Sequence, residues 1–162
     1  MADSIALTLT ANGTEIEGDN PFTTLERGNK IDVLSLVQPL RGAFDRGTAR
    51  ASGRRFYEPL RFTKRIDRST PHLRQALVNN AALAGEFRWY RTPPGDGATE
   101  HFFTLQFEDA RFTSAVLRLP DLLDPAASSL PPIEEIEMVS NVYRWIWPQG
   151  SIEFEDTFTA HA

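Results

Sequence analysis

The chain contains no cysteine, so disulfide frameworks, thiolate nucleophiles and cysteine-held zinc are excluded from the outset. Histidine is almost as scarce. The three present, His72, His101 and His161, lie far apart in the sequence and in no ligand spacing, which favours satisfied or solvated side chains over a metal site or a triad. There is no G-x-x-x-x-G-K-[ST] phosphate loop, no G-x-S-x-G elbow and no H-E-x-x-H helix, so the familiar nucleotide, hydrolase and metalloprotease signatures are missing. No apolar run approaches the length of a membrane span. The start, Met1 to Thr8, lacks the basic and apolar regions of a cleaved secretory signal, and synthesis in the cytosol is expected.

What is present suits one domain over residues 1–162. At 41% hydrophobic and 24% charged, a chain of 162 residues buries roughly two-thirds of its extended surface. The net charge of −5 disfavours nucleic acid or an anionic membrane as the main partner.

Strand periodicity runs nearly end to end. Ile5, Leu7 and Leu9 alternate with small or polar residues, and Asn12-Gly13 supplies the positive-φ pair of a tight hairpin. Ile31 to Val37 reads as a strand buried on both faces near its middle. Phe87 and Trp89, then Phe103, Leu105 and Phe107, mark a hairpin about Pro93-Pro94-Gly95, and Thr113 to Leu119 continue the second strand. A long strand from Ile136 ends in Tyr143, Trp145 and Trp147, and a last one places Ile152, Phe154 and Phe158 opposite Glu153, Glu155 and Thr157. One short α-helix is expected at about residues 70–80, with Thr70 as its cap, Pro71 in its first turn and Leu73, Ala76, Leu77 and Asn80 on one stripe. The fold class is therefore mainly β: two packed antiparallel sheets or a small closed barrel with that helix alongside.

Residues 41–55 differ in kind. Arg41, Arg46, Arg50, Arg54 and Arg55 stand among glycines and small residues with no apolar period, which reads as a long basic loop. Three uses are open: a solvated loop, an arm docking on an acidic surface of another subunit, or a nucleic-acid arm, the last weakened by sparse aromatics. Glu134, Glu135 and Glu137 read as a solvated sheet face, and Lys64, Arg65, Asp67 and Arg68 as interface or solvated charges.

The run Lys64-Arg65-Ile66-Asp67-Arg68-Ser69-Thr70-Pro71 resembles the K-x-I-D-[KR]-S-T-P core of the haemolysin-coregulated protein (Hcp) family of bacterial type VI secretion. Ile31-Asp32-Val33-Leu34-Ser35 is similar to that family's early I-D-V-L strand, and Glu86-Phe87-Arg88-Trp89-Tyr90-Arg91 to its E-F-x-F-Y-R strand. The resemblance implies a β-barrel with one helix, hexameric rings, and rings stacked into a tube that a contracting sheath propels from the cell. A spike protein, effector cargo, a chaperoning lumen and export without a cleaved signal are implied with it. The chain departs from the pattern at Leu36-Val37-Gln38-Pro39-Leu40 and in its arginine-rich loop.

The resulting expectation is a non-enzymatic tube component without cofactor or metal. Arg41, Arg46, Arg50 and Arg54 are the candidates for ring stacking, opposite Glu153, Glu155 and Asp156 of the next ring, and Ser35 and Val37 are the candidates for the lumen. Two readings of other classes stand beside it: a monomeric β-barrel holding a small apolar ligand among Trp89, Phe103 and Trp145, and an enzyme using the acidic strand faces.

Overall fold

The computed structural model describes residues 3–95 and 97–158; His161 lies outside them. Among the described residues there are ten strands and one α-helix. Strand β1 (Ser4–Ala11) turns through Asn12 and Gly13 at φ 50° and 84° and returns as β2 (Thr14–Ile16). These left-handed angles match the twist of the flanking strands, as expected for the Asn-Gly pair. There follow β3 (Ile31–Val37), β4 (Leu40–Asp45), β5 (Arg50–Tyr57), β6 (Leu60–Arg65), α1 (Thr70–Val78), β7 (Leu83–Arg91), β8 (Glu100–Arg118), β9 (Ile133–Trp147) and β10 (Ile152–Thr157).

Six strands close on themselves in the order β9-β6-β3-β1-β7-β8, with β8 pairing back to β9, so the barrel alternative is the one adopted. Every pairing is antiparallel. The inward positions are the alternating apolar residues, and Phe62, Phe87 and Phe107 meet at centroid distances of 5.5 Å in the middle of the core. Closure demands close approach at one point. A side chain on Gly85 would put its first carbon 2.1 Å from the Thr8 carbonyl oxygen, so only glycine fits between β7 and β1 there.

The longest strands serve two neighbours each. Residues Ile133 to Met138 of β9 pair with β6, while Val142 to Trp147 pair with β10, and β8 runs beside both halves. Burial of β3 is narrower than its apolar sequence implies. A register shift against β6 between Val33 and Ser35 interrupts the alternation, so Ile31 and Val33 are buried, Leu34 and Ser35 are both exposed, and Leu36 packs against the core while Val37 is exposed.

The helix is shorter than expected and starts differently. Ser69 flanks it without a side-chain cap, and Thr70, instead of capping, accepts the Asp67 backbone N–H at 3.1 Å with its hydroxyl turned into the protein. Asp67 takes over the local role by accepting the Ser69 N–H at 2.8 Å. Leu73 and Ala76 seal α1 onto the barrel, while Asn80, expected on the stripe, is exposed and left-handed beyond the helix end.

The largest departure concerns charge. Lys64 and Glu134 sit opposite each other on β6 and β9, face inward and are 0% exposed, so neither is a solvated charge. Lys64 Nζ reaches Glu134 Oε1 at 2.8 Å and Asp67 Oδ1 at 2.9 Å, and also donates to the Arg65 carbonyl at 2.7 Å. Arg74 of α1 closes the cluster on Glu134 Oε2 at 2.6 Å. Burial is tolerable here because each charge is paired and hydrogen-bonded, and the pairing fixes α1 over the barrel wall.

Candidate functional site

Residues 41–55, expected as an irregular loop, form a two-stranded ribbon of β4 and β5 that pairs with no other strand. Its tip turns at residues 46–49, where Asp45 accepts the Gly47 N–H at 2.8 Å and Ala49 is left-handed at φ 55°. Backbone pairing alone carries the ribbon outward. Nearly every side chain on it is exposed, which is why it shows no apolar alternation in the sequence.

The base is anchored firmly. Arg55 donates to both carboxylate oxygens of Asp156, at 2.5 and 2.6 Å, and the Tyr57 hydroxyl donates to the same carboxylate at 2.6 Å. Tyr57 also lies on Tyr143 and Trp145, with ring centroids 5.2 and 6.5 Å away. Burial, and then the Asp156 hydrogen bond, lift the Tyr57 hydroxyl far above its ordinary range, and burial pushes that of Tyr143 up to about 12. The Tyr57 phenol therefore stays protonated as the donor to Asp156. Asp156 thus binds the hairpin of its own copy, and Glu155 pairs with Arg144; Glu153 is exposed and has no ion pair among the described residues.

Of the four candidate stacking arginines, Arg41 pairs loosely with Glu58 at 3.2 Å on the exposed surface. Arg46, Arg50 and Arg54 make no ion pair among the described residues. The ribbon leads into the first residue of β6, whereas α1 follows its last, so hairpin and helix project from opposite ends of the barrel. At the helix end lie two adjoining clefts of about 430 and 320 Å³ that share Glu15 and His72, with Gln75, Asn79, Ile16 and Ala76 in one and Glu17 and Arg68 in the other; Glu15 is paired with Lys30 at 2.6 Å and Glu17 with Arg68 at 3.5 Å.

Ser35 and Val37 come together on one exposed face of β3. Ser35 lies 2.6 Å from the Thr63 hydroxyl across the strand pair, and Val37 is opposite Arg61. The aromatic residues considered for a ligand have their faces occupied: Trp89 and Phe103 pack edge to face at 5.1 Å, and Trp145 is sandwiched between Tyr57 and Phe154. His72 is exposed in the first turn of α1. His101, lowered in pKa by burial and then by Arg88, bonds Thr104 at 2.6 Å. Among the described residues no cluster of metal-ligating side chains occurs, and no helix is long and apolar enough to cross a membrane.

The family described as "Type VI secretion system effector, Hcp" matches residues 8–148. The chain belongs to the Hcp family. The "Major exported protein" of Pseudomonas aeruginosa is 28% identical over 102 residues, which span 62% of this chain and 59% of that protein's length. Among solved structures, a mutant form of Hcp1 from the E. coli EAEC 042 pathovar superposes with TM-score 0.83 at 24% identity, covering 97% of this chain and 99% of the other. A crystal structure of an Hcp protein gives TM-score 0.86 at 21% identity over 97% and 98%. The secreted Hcp3 of Pseudomonas aeruginosa gives 0.74 at 17% over 97% and 99%. The Hcp signature from Lys64 to Pro71 is thus the buried ion cluster and helix start of the barrel. Lys64, Asp67, Ser69 and Thr70 of this run maintain the subunit, while Arg65, Ile66 and Arg68 are exposed and Arg68 lines one of the helix-end clefts.

Proposed function

We propose that this Hcp chain is a structural, non-catalytic subunit that closes into hexameric rings, and that the rings stack head to tail into the tube of a type VI secretion apparatus. The observation that carries the reading is the difference between the two ends of the subunit: a hairpin with three arginines that make no ion pair among the described residues at one, and at the other a pair of clefts whose carboxylates Glu15 and Glu17 are held by Lys30 and Arg68. Surfaces that differ in this way make heterologous contacts, which close into rings about one axis and continue as filaments along it. Arg41, Arg46, Arg50 and Arg54 reach the adjoining ring, where they compete with Lys30 and Arg68 for Glu15 and Glu17 at the helix end. Asp156 sets the angle of the hairpin from within its own copy, through Arg55 and Tyr57.

The exposed face bearing Ser35, Val37, Thr63 and Arg61 is assigned to the lumen, where effector proteins ride. A contractile sheath and a spike complete the apparatus, and the subunit, made in the cytosol, leaves the cell without a cleaved signal. The test is the triple substitution Arg46→Glu, Arg50→Glu and Arg54→Glu. Light scattering should still give six times the 18.2 kDa chain mass, and negative-stain images should show rings with tubes lost or shortened. Tubes of unchanged length would refute the stacking role, and a monomeric parent protein would refute the ring.

A further inference from the structure

Positive charge on this acidic chain is concentrated in one place. Residues 41–55 hold five of its 17 lysines and arginines and only one, Asp45, of its 22 carboxylates. Two of the five arginines are engaged at the base of the hairpin, Arg41 with Glu58 and Arg55 with Asp156. The other three, Arg46, Arg50 and Arg54, are exposed and make no ion pair among the described residues. Phe44 stands among them at 62% exposure, opposite Ala51 on the paired strand.

Arginines beside an exposed aromatic ring on one projecting element suit the interface of an anionic bilayer, where guanidinium groups meet phosphate oxygens and the ring sits at the headgroup boundary. The backbone limits the depth. The two strands of the ribbon pair with each other and with no third strand, so both outer edges carry N–H and C=O groups that need water. The tip therefore suits the hydrated headgroup layer and not the hydrocarbon core. The rest of the subunit carries the excess of carboxylates and is repelled by the same surface, which turns the hairpin end toward it.

From this we infer that the hairpin end binds an anionic phospholipid surface peripherally, with Arg46, Arg50 and Arg54 on lipid phosphates and Phe44 at the headgroup boundary. The hairpins concerned are those that no further ring receives, on an unstacked ring or on the end ring of a column. The strength of the contact rests on the ring reading. Each arginine near an anionic bilayer contributes roughly fivefold to partitioning, so three contribute on the order of a hundredfold, which is weak for one copy. Six hairpins on one side of a ring lie in a plane and engage a flat surface together. A nucleic-acid duplex is a narrow rod that reaches only some of them, and the hairpin lacks the row of aromatics on which a single strand stacks.

The test is flotation with lipid vesicles. Rings should float with vesicles of equal parts phosphatidylglycerol and phosphatidylcholine, and stay behind with phosphatidylcholine alone. Binding should fall as salt rises from about 0.1 M to about 1 M. The variant carrying Arg46→Glu, Arg50→Glu and Arg54→Glu should lose binding while light scattering still gives six copies, and Phe44→Ser should weaken it several-fold with the rings intact. Arg118→Glu, an exposed arginine at the other end of the barrel, should float as the parent does. Rings that stay behind with the anionic vesicles, or a triple variant that floats as well as the parent, would overturn the inference and leave the ring reading standing. Rings retained by duplex DNA and not by the vesicles would overturn it in favour of a nucleic-acid partner. An unmodified chain that floats as a monomer would keep the lipid contact and remove the ring reading, and a monomer that does not float would overturn both.

Discussion

Lys64 and Glu134, 70 residues apart in the sequence, form an ion pair at 2.8 Å from which water is wholly excluded. Removing one partner leaves the other charged and buried. Glu134→Ala is expected to cost about 3–5 kcal/mol in urea unfolding, whereas Lys64→Met combined with Glu134→Leu should recover most of that loss. A double variant as unstable as the single one would show that the cluster acts through α1 and Arg74 more than through the pair.

Acid should act through Asp67. Burial pushes its carboxyl up, but hydrogen bonds from Ser69 and Lys64 outweigh burial and hold it below its ordinary value of 3.8. A carboxyl lowered in the folded state adds stability that is complete above the unfolded value and is lost as pH falls through the folded one. Asp67→Asn should therefore destabilise at neutral pH and flatten the fall in stability below about pH 4. Asp32, raised mainly by burial and also by the nearby Asp67, moves the opposite way and is itself relieved by Asp67→Asn, so the difference between variant and parent reports the two carboxyls together. Denaturant melts at several pH values supply the measurement.

Releasing the hairpin should spare the barrel. Asp156→Ala removes the carboxylate shared by Arg55 and Tyr57. Hydrogen exchange across residues 40–57 should accelerate, while amides of β1, β6 and β7 keep their protection. Equal acceleration in both would mean that the anchor supports the whole fold.

Gly85→Ala tests barrel closure, because the added carbon meets the Thr8 carbonyl oxygen at 2.1 Å, with the Leu9 Cα and the Phe107 ring both at 3.1 Å. The expected loss is about 3 kcal/mol, at the upper end of the cost of overpacking. A thermal melt within a degree or two of the parent would show that β1 and β7 separate freely there.

Stacking by exposed arginines should respond to salt. Screening shortens from about 10 Å at 0.1 M to about 3 Å at 1 M. Tube length in electron micrographs should fall over that range while ring mass stays constant; ring mass that falls together with tube length would mean that salt acts on the ring and not on the hairpin arginines.

Much of this was legible in the sequence, for physical reasons that differ by element. Asn12-Gly13 and Pro71 constrain the backbone whatever surrounds them, so the first hairpin and the place of the helix start could be read locally, but not the Thr70 hydroxyl, which turns inward instead of capping. The ribbon at 41–55 could not. Period-two alternation records burial on one face, and the ribbon buries neither. Lys64 and Glu134 failed for the converse reason: alternation located both strands, but a charge facing inward looks solvated until its partner is brought across from a distant strand. Asp156 was recognised as part of an acidic strand end, yet its commitment to Arg55 depends on the hairpin folding back to that strand.

The hairpin leaves β6 at one end and the helix leaves it at the other, so a column of such rings has a direction. In the proposed stack the first ring displays arginines with nothing to receive them, and the last displays Glu15 and Glu17 with only their own Lys30 and Arg68. A protein that starts the column must offer acidic groups and one that tips it must offer basic groups, or the reverse. Neither can do the work of the other, and the order of assembly is written into the two ends of a single strand of six residues.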